Sequence, residues 1–166
     1  MLNAPQWGMV GQLKPFHTSS LLQADLPMPA TLMTNDPAEA RDFLAAHPRA
    51  IYKPVMGGDY ARRVDDAVLS RLDVIEHSPV ILQACIEGMS VRVTMTAETI
   101  LSVCQIPSDA IDFRGGTNYG HGTRYEPHDL PKEIADLCFR AIRASGYGYT
   151  AIDLMAAFPN EYYFLE

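Results

Sequence analysis

Three brief apolar runs, VILQACI, SVRVTMT and TILSVCQI, follow one another between residues 80 and 106, parted only by a few polar or glycine positions. Runs this short and this rich in β-branched residues predict strands, and their close succession predicts an antiparallel meander. A helix is expected next, from Pro131 to Ala144. Ile134, Leu137, Cys138, Ala141 and Ile142 recur there at helical spacing, and Ser145-Gly146 closes it. Two last strands, YTAIDLMAAF and EYYFLE, are joined by a Pro159-Asn160 turn.

The first half is richer in helix. Leu21, Leu22, Ala24 and Leu26 predict a short helix ending before Pro27 and Pro29, and Ala30 to Thr34 reads as a strand. Asn35 and Asp36 are capping residues, Pro37 suits a first turn, and Glu39 opposes the helix dipole. Ala40, Phe43, Leu44 and Ala45 then give an apolar stripe up to Pro48. Ile51 to Met56 predicts a strand, followed by Gly57-Gly58. Val64 to Glu76 predicts a helix with Val68, Leu69, Leu72 and Ile75 on one face. The order is that of an α+β chain. A break near Ser78-Pro79 divides it into a lead-in (1–14), a first lobe (15–79) and a second lobe (80–166).

The composition narrows the function classes. With 166 residues, 48% hydrophobic and 20% charged, the chain has the content of a globular domain. A formal charge of -7 and no Lys/Arg-rich run argue against a nucleic-acid binder, which neutralises many phosphates. No apolar stretch approaches the roughly 18 residues that a membrane span needs, and no signal pattern opens the chain. Cys85, Cys104 and Cys138 are scattered and lack CxxC spacing, so reduced cysteines in a cytoplasmic protein are expected. His17, His47, His77, His121 and His128 show no zinc spacing, and Walker A, G-x-G-x-x-G and G-x-S-x-G patterns are absent.

Five positions nonetheless carry chemistry. Lys53 lies inside the apolar strand IYKPV, ahead of Gly57-Gly58. A lysine there either clamps an anion beside open backbone amides or snorkels from an edge strand. Arg92 shares a strand face with Ser90 and Thr94, opposite Val91, Val93 and Met95. Arg114, in IDFRGG, is either an anion-binding guanidinium or the partner of Asp112 in a local pair. Asp153 and Glu166 end apolar strand segments of one hairpin, which would bring two carboxylates within reach of one hard cation.

Taken in order, LPMPATLMTND, IYKPVMGG, VILQACIEGMSVRV, IDFRGG, YTAIDLM and YYFLE resemble the ATP-grasp superfamily, in its glutathione-synthetase-like and peptide- or protein-modifying branch. The resemblance implies two α+β lobes with a nucleotide between them. Lys53 and, more loosely, Lys14 match nucleotide-contacting lysines, and Gly57 and Gly58 match a loop that closes over the triphosphate. Gln83, Ala84, Cys85 and Ile86 match the hinge whose backbone meets adenine, with Glu87 a substitute for the ribose-contacting acid. Arg92 and Arg114 match arginines near the phosphates and the reacting acyl group, and Asp153 and Glu166 match magnesium ligands. Three departures stand out. Ala84 replaces a common hinge acid, Ser90 replaces an acid two positions before the arginine, and the chain stops before the asparagine of the family's last Glu-x-Asn strand. A missing preceding domain and C-terminal end are therefore expected.

The resemblance implies ATP and Mg2+ as cofactors and an acyl-phosphate route joining a carboxylate to an amine, on a peptide, protein or small amino-acid-like substrate. A non-catalytic nucleotide-binding or interaction module is the rival reading, and a homo-oligomer stays open.

Overall fold

The computed structural model describes residues 3–4, 13–56, 59–115 and 123–166. Two antiparallel sheets organise them. The first is built from β1 (Thr31–Thr34), β2 (Ala50–Pro54), β3 (Arg62–Arg63) and β4 (Val80–Ala84), in the order β1-β4-β2-β3. The second contains β5 (Met89–Thr96), β6 (Ile100–Ile106), β7 (Glu126–Pro127), β8 (Tyr149–Ala157) and β9 (Glu161–Phe164), in the order β7-β6-β5-β8-β9.

Local chemistry explains most elements. Helix α1 spans Lys14–Gln23, with Pro15 in its first turn, and so begins a full turn or more before the expected leucine stripe. Helix α2 (Pro37–Ala46) is capped by Asp36, whose carboxylate accepts from the Ala38 amide at 2.7 Å. Glu39 in its first turn accepts from the Thr34 hydroxyl at 2.6 Å, pinning the helix to β1. The helix expected over 64–76 is instead broken into α3 (Asp66–Leu69) and a 3-10 turn at Leu72–His77. Ser70 turns its hydroxyl back onto the Ala67 carbonyl, and the chain leaves helical geometry at Arg71. Helix α4 (Lys132–Ser145) buries Ile134, Cys138, Ala141 and Ile142, and Gly146 ends it in the left-handed region at φ 74°. Among the described residues no helix is long and apolar enough to cross a membrane.

The chain's division between sheets differs from the break expected at Ser78-Pro79. Val80–Ala84 is an inner strand of the first sheet, pairing with both β1 and β2, and Ile81, Leu82 and Gln83 are buried there. The chain changes sheet only between Ala84 and Met89. Helix α1 also departs from the expected first lobe. Leu21 and Leu26 pack into the core formed by Val91, Val93, Met95, Leu154 and Phe164 together with α4. Apolar burial, not sequence proximity, decides which sheet each segment joins. The smaller core of the first sheet holds Ala40, Leu72 and Leu82. Two neighbouring crossings thus connect the lobes, and the Ala84 amide donates to the Ala30 carbonyl between them at 2.9 Å.

Candidate functional site: a cleft between the two sheets

A cleft of about 450 Å³ opens between the sheets. One wall is the polar face of the second sheet. In β5 Val91, Val93 and Met95 point into the core, so Ser90, Arg92 and Thr94 take the opposite face, as the alternation predicts. Register places Asp153 of β8 and Cys104 of β6 directly beside Arg92. Arg92 donates from Nε and Nη2 to the two Asp153 carboxylate oxygens, each at 2.8 Å. That contact raises the Arg92 pKa further, and burial works against it. The Phe113 ring caps the same guanidinium, 5.1 Å from ring centre to Cζ.

Glu166 reaches this wall through the backbone. Asp153 donates its amide to the Glu166 carbonyl at 3.0 Å and accepts from the Leu165 amide at 2.9 Å, so two residues of the outgoing chain oppose one. The hairpin expected to unite Asp153 and Glu166 therefore does bring them side by side. The Asp153 carboxylate is not open, however, being held at both oxygens by Arg92. Among the described residues no group of three or more His, Cys, Asp or Glu side chains is arranged around a metal position. Two carboxylates still fit magnesium, which binds through one or two of them and completes its shell with phosphate oxygens and water.

The opposite wall comes from β2 and β4. Lys53 is on an inner strand, between β4 and β3, so the edge-strand alternative does not apply. Its side chain is half-buried in the cleft and donates to Gln83 Oε1 at 3.3 Å. Burial pulls its pKa down. Glu166 and Asp112 counter this, while Lys14 and Arg114 add to the depression. Lys14 is itself buried, 7% exposed, and donates to the Met56 carbonyl at 3.4 Å. Among the described residues neither lysine takes part in an ion pair. The cluster of Lys14, Lys53 and Arg114 is thus a partly desolvated positive region facing Glu166.

The hinge residues Gln83, Ala84, Cys85, Ile86 and Glu87 all line the cleft. Gln83 is buried at 2% exposure, donating to the Thr31 hydroxyl and accepting from Lys53. The amides of Ala84 and Cys85 are already donated to the carbonyls of Ala30 and Arg49. Glu87 is exposed and ion-paired with Arg49 at 2.7 Å. Gly88, next in line, packs so closely on β8 that a Cβ would lie 2.2 Å from the Ala156 carbonyl oxygen. Gly57 and Gly58 lie outside the described residues.

Arg114 does form the local pair with Asp112, through Nε at 2.8 Å and Nη2 at 2.7 Å. In the sequence Asp112 stands out only as that partner. The structure gives it a contact 51 residues away, the Ala61 amide at 3.1 Å. The only sequence signal was an acid two positions before an arginine, which is common.

Residues 14–166 match the ATP-grasp domain. The chain is similar to the ATP-grasp ligase PsnB, solved with a phosphomimetic variant of its minimal precursor, Mg and ADP. Identity is 34% and TM-score 0.85, over 99% of this chain and 52% of that one. It is also similar to the macrocyclase MdnC from Microcystis aeruginosa MRC, bound with precursor peptide MdnA, at 24% identity and TM-score 0.75 (92% and 51% covered). The VanG D-Ala:D-Ser ligase from Enterococcus faecalis shares 17% identity at TM-score 0.72 (93% and 51% covered). The last two likenesses show the fold alone. No curated protein matches. The chain spans about half the length of these solved structures. With two antiparallel sheets enclosing a cationic cleft and a family match over nearly its whole length, the chain belongs to the ATP-grasp family.

Proposed function

We propose that this chain binds Mg-ATP in the cleft and serves an ATP-dependent carboxylate–amine ligase acting on a peptide or protein. The observation that carries this reading is the positive region itself. Buried Lys14, half-buried Lys53 and Arg114 face one another, and burial depresses the Lys53 pKa. Glu166 and Asp112 offset part of that charge, and Asp112 is already paired with Arg114, so the two lysines keep capacity for a further anion. A polyphosphate supplies that anion. PsnB, 34% identical, has been solved with Mg, ADP and a precursor variant, which supports both the nucleotide and a peptide substrate.

In the proposed reaction a substrate carboxylate oxygen attacks the γ-phosphorus of ATP. The bond to ADP breaks, and an acyl-phosphate forms. An amine then attacks the acyl carbon, phosphate leaves, and the nitrogen loses a proton. Magnesium, held by Asp153 and Glu166, would supply charge neutralisation at the phosphates. Lys14 and Lys53 bind and orient the nucleotide, and Arg92 and Arg114 offset charge at the transferring group. With the Ala84 and Cys85 amides already engaged, Ile86 and Glu87 are the hinge positions whose amides can meet a base edge. The protein is proposed to work in the cytoplasm, where ATP is available.

The rival, a nucleotide-binding module without catalysis, draws on one observation: the Asp153 carboxylate is occupied by Arg92. Calorimetric titration with Mg-ATP tests the shared claim. Binding that is lost in Lys53→Ala supports the cleft, and absence of binding to the wild-type chain refutes it. ADP release in the presence of candidate acids and amines then separates ligase from module.

A further inference from the structure

Asp112 sits where the two lobes meet, and four donors converge on its carboxylate. Oδ1 accepts from the Arg114 amide at 3.1 Å and from Arg114 Nε at 2.8 Å. Oδ2 accepts from Arg114 Nη2 at 2.7 Å and from the Ala61 amide at 3.1 Å. The side chain is 7% exposed, whereas that of Arg114 is 36% exposed. Burial opposes the charged form, but the guanidinium and the two amides outweigh it, and the carboxyl is held below its ordinary value.

The donors come from different lobes. Ala61 adjoins β3 of the first sheet. Arg114 belongs to the 3-10 turn Phe113–Gly115, which follows β6 of the second sheet. Next to this carboxylate, the Tyr60 ring lies 3.6 Å from the position a Cβ on Gly115 would take. Phe113, between Asp112 and Arg114, covers the Arg92 guanidinium. Three consecutive residues therefore touch the first lobe, Arg92 and the cleft.

We propose that Asp112 is a positioning residue that fixes Arg114 and the Tyr60–Ala61 segment to one another, so that the two walls of the cleft keep their places together. The inference rests on the reading of the cleft as a nucleotide site, and goes beyond it by naming how its two walls are coupled. A surface Asp-Arg pair would do little. A buried carboxylate shared by a guanidinium and a backbone amide of the other lobe loses both when removed, and neither donor then keeps its place.

The coupling is reciprocal, so each partner must be felt at the other. The test is amide hydrogen exchange at Ala61, read with and without Mg-ADP, in wild type, Asp112→Ala, Asp112→Asn and Arg114→Ala. Calorimetry measures Mg-ATP affinity in the same four proteins. In Asp112→Ala, Ala61 exchange is expected to rise about tenfold, the scale of one lost hydrogen bond, while Val93 in β5 stays protected. Arg114→Ala, which leaves the Ala61 acceptor in place, is expected to raise Ala61 exchange too. Asp112→Asn keeps an acceptor for Ala61 but no charge for Arg114, so protection returns in part while Mg-ATP affinity stays reduced.

Ala61 exchange that is unchanged in Arg114→Ala overturns the coupling, whatever Asp112→Ala shows and even where wild type binds Mg-ATP. Coupling intact at Ala61 but no Mg-ATP binding to any of the four overturns the nucleotide reading and leaves the inter-lobe tie standing. Loss of Val93 protection in Asp112→Ala signals general unfolding, and the decision then rests on Asp112→Asn and Arg114→Ala.

Discussion

Arg92 and Asp153 are register partners on adjacent strands, and their side chains close a two-point ion pair across the cleft face of the second sheet. One residue assigned to the reacting phosphates thus neutralises one assigned to magnesium. For both to serve a nucleotide, the pair must open or share its charge with the ligand.

The first prediction follows from that pairing. Asp153→Asn removes the charge proposed to hold the metal and leaves Arg92 a single neutral acceptor in place of its two-point ion pair. Magnesium should therefore lose its effect on ATP affinity, while affinity measured without magnesium holds or rises. The fold should persist, because the amide side chain still accepts from Arg92. Titrations with and without magnesium check this, and an unchanged magnesium dependence would count against the hairpin as the metal site.

Lys53 gives the second, with its sign set by burial. Its folded pKa lies below the unfolded value, so the charged form weakens the unliganded fold. That cost is fully present below the folded pKa and disappears as pH rises toward the unfolded pKa. Lys53→Met should accordingly raise the melting temperature of the ligand-free chain near neutral pH. The same change should weaken ATP binding by about tenfold or more, the scale of a lost buried charge contact. A phosphate raises the lysine pKa again, so binding takes up protons in the alkaline window and weakens as pH climbs through the folded value. Calorimetry in two buffers of different ionisation enthalpy reads that uptake.

Gly88 and Gly115 form a contrasting pair. A Cβ on Gly88 meets the Ala156 carbonyl at 2.2 Å, a backbone atom that cannot swing aside, whereas on Gly115 it meets the Tyr60 ring at 3.6 Å, an ordinary contact. Gly88→Ala should cost about 1–3 kcal/mol by overpacking the hinge, with Gly115→Ala nearly neutral. Thermal unfolding of the two variants distinguishes them, and equal melting temperatures would contradict the close packing.

The cysteines should differ in reactivity. Burial beneath α4 pushes the Cys138 thiol up to about 12, so it stays protonated and resists alkylation until the pH is well above neutral or the chain unfolds. Cys85 lines the cleft at the hinge, and its alkylation should slow when Mg-ATP is present. Mass spectrometry of iodoacetamide-treated protein reads both sites. Rapid labelling of Cys138 at pH 8 would show that this core is open.

What the sequence disclosed was mainly what depends on near neighbours. The alternation of SVRVTMT put Arg92 on the polar face, the α4 spacing named its buried residues, and the last hairpin brought Asp153 to Glu166. Pairings between distant segments were hidden. Nothing in VILQA states that it lies between β1 and β2, because an apolar run serves either sheet equally well. The Arg92–Asp153 pair depends on a register set 61 residues apart, and the reach of Asp112 to Ala61 on how two lobes approach. The leucines of α1 were legible as an apolar stripe, but the core they enter was not.

That last placement has a consequence for how the chain is made. The first sheet and its covering helix come from one continuous stretch, residues 31–84, and can assemble as soon as that stretch leaves the ribosome. Leu21 and Leu26 are synthesised earlier, yet their partners Leu154 and Phe164 arrive more than a hundred residues later. During that interval helix α1 has no lasting shelter for its apolar face, and the lobe it will complete must fold after the first sheet although α1 precedes that sheet in the chain.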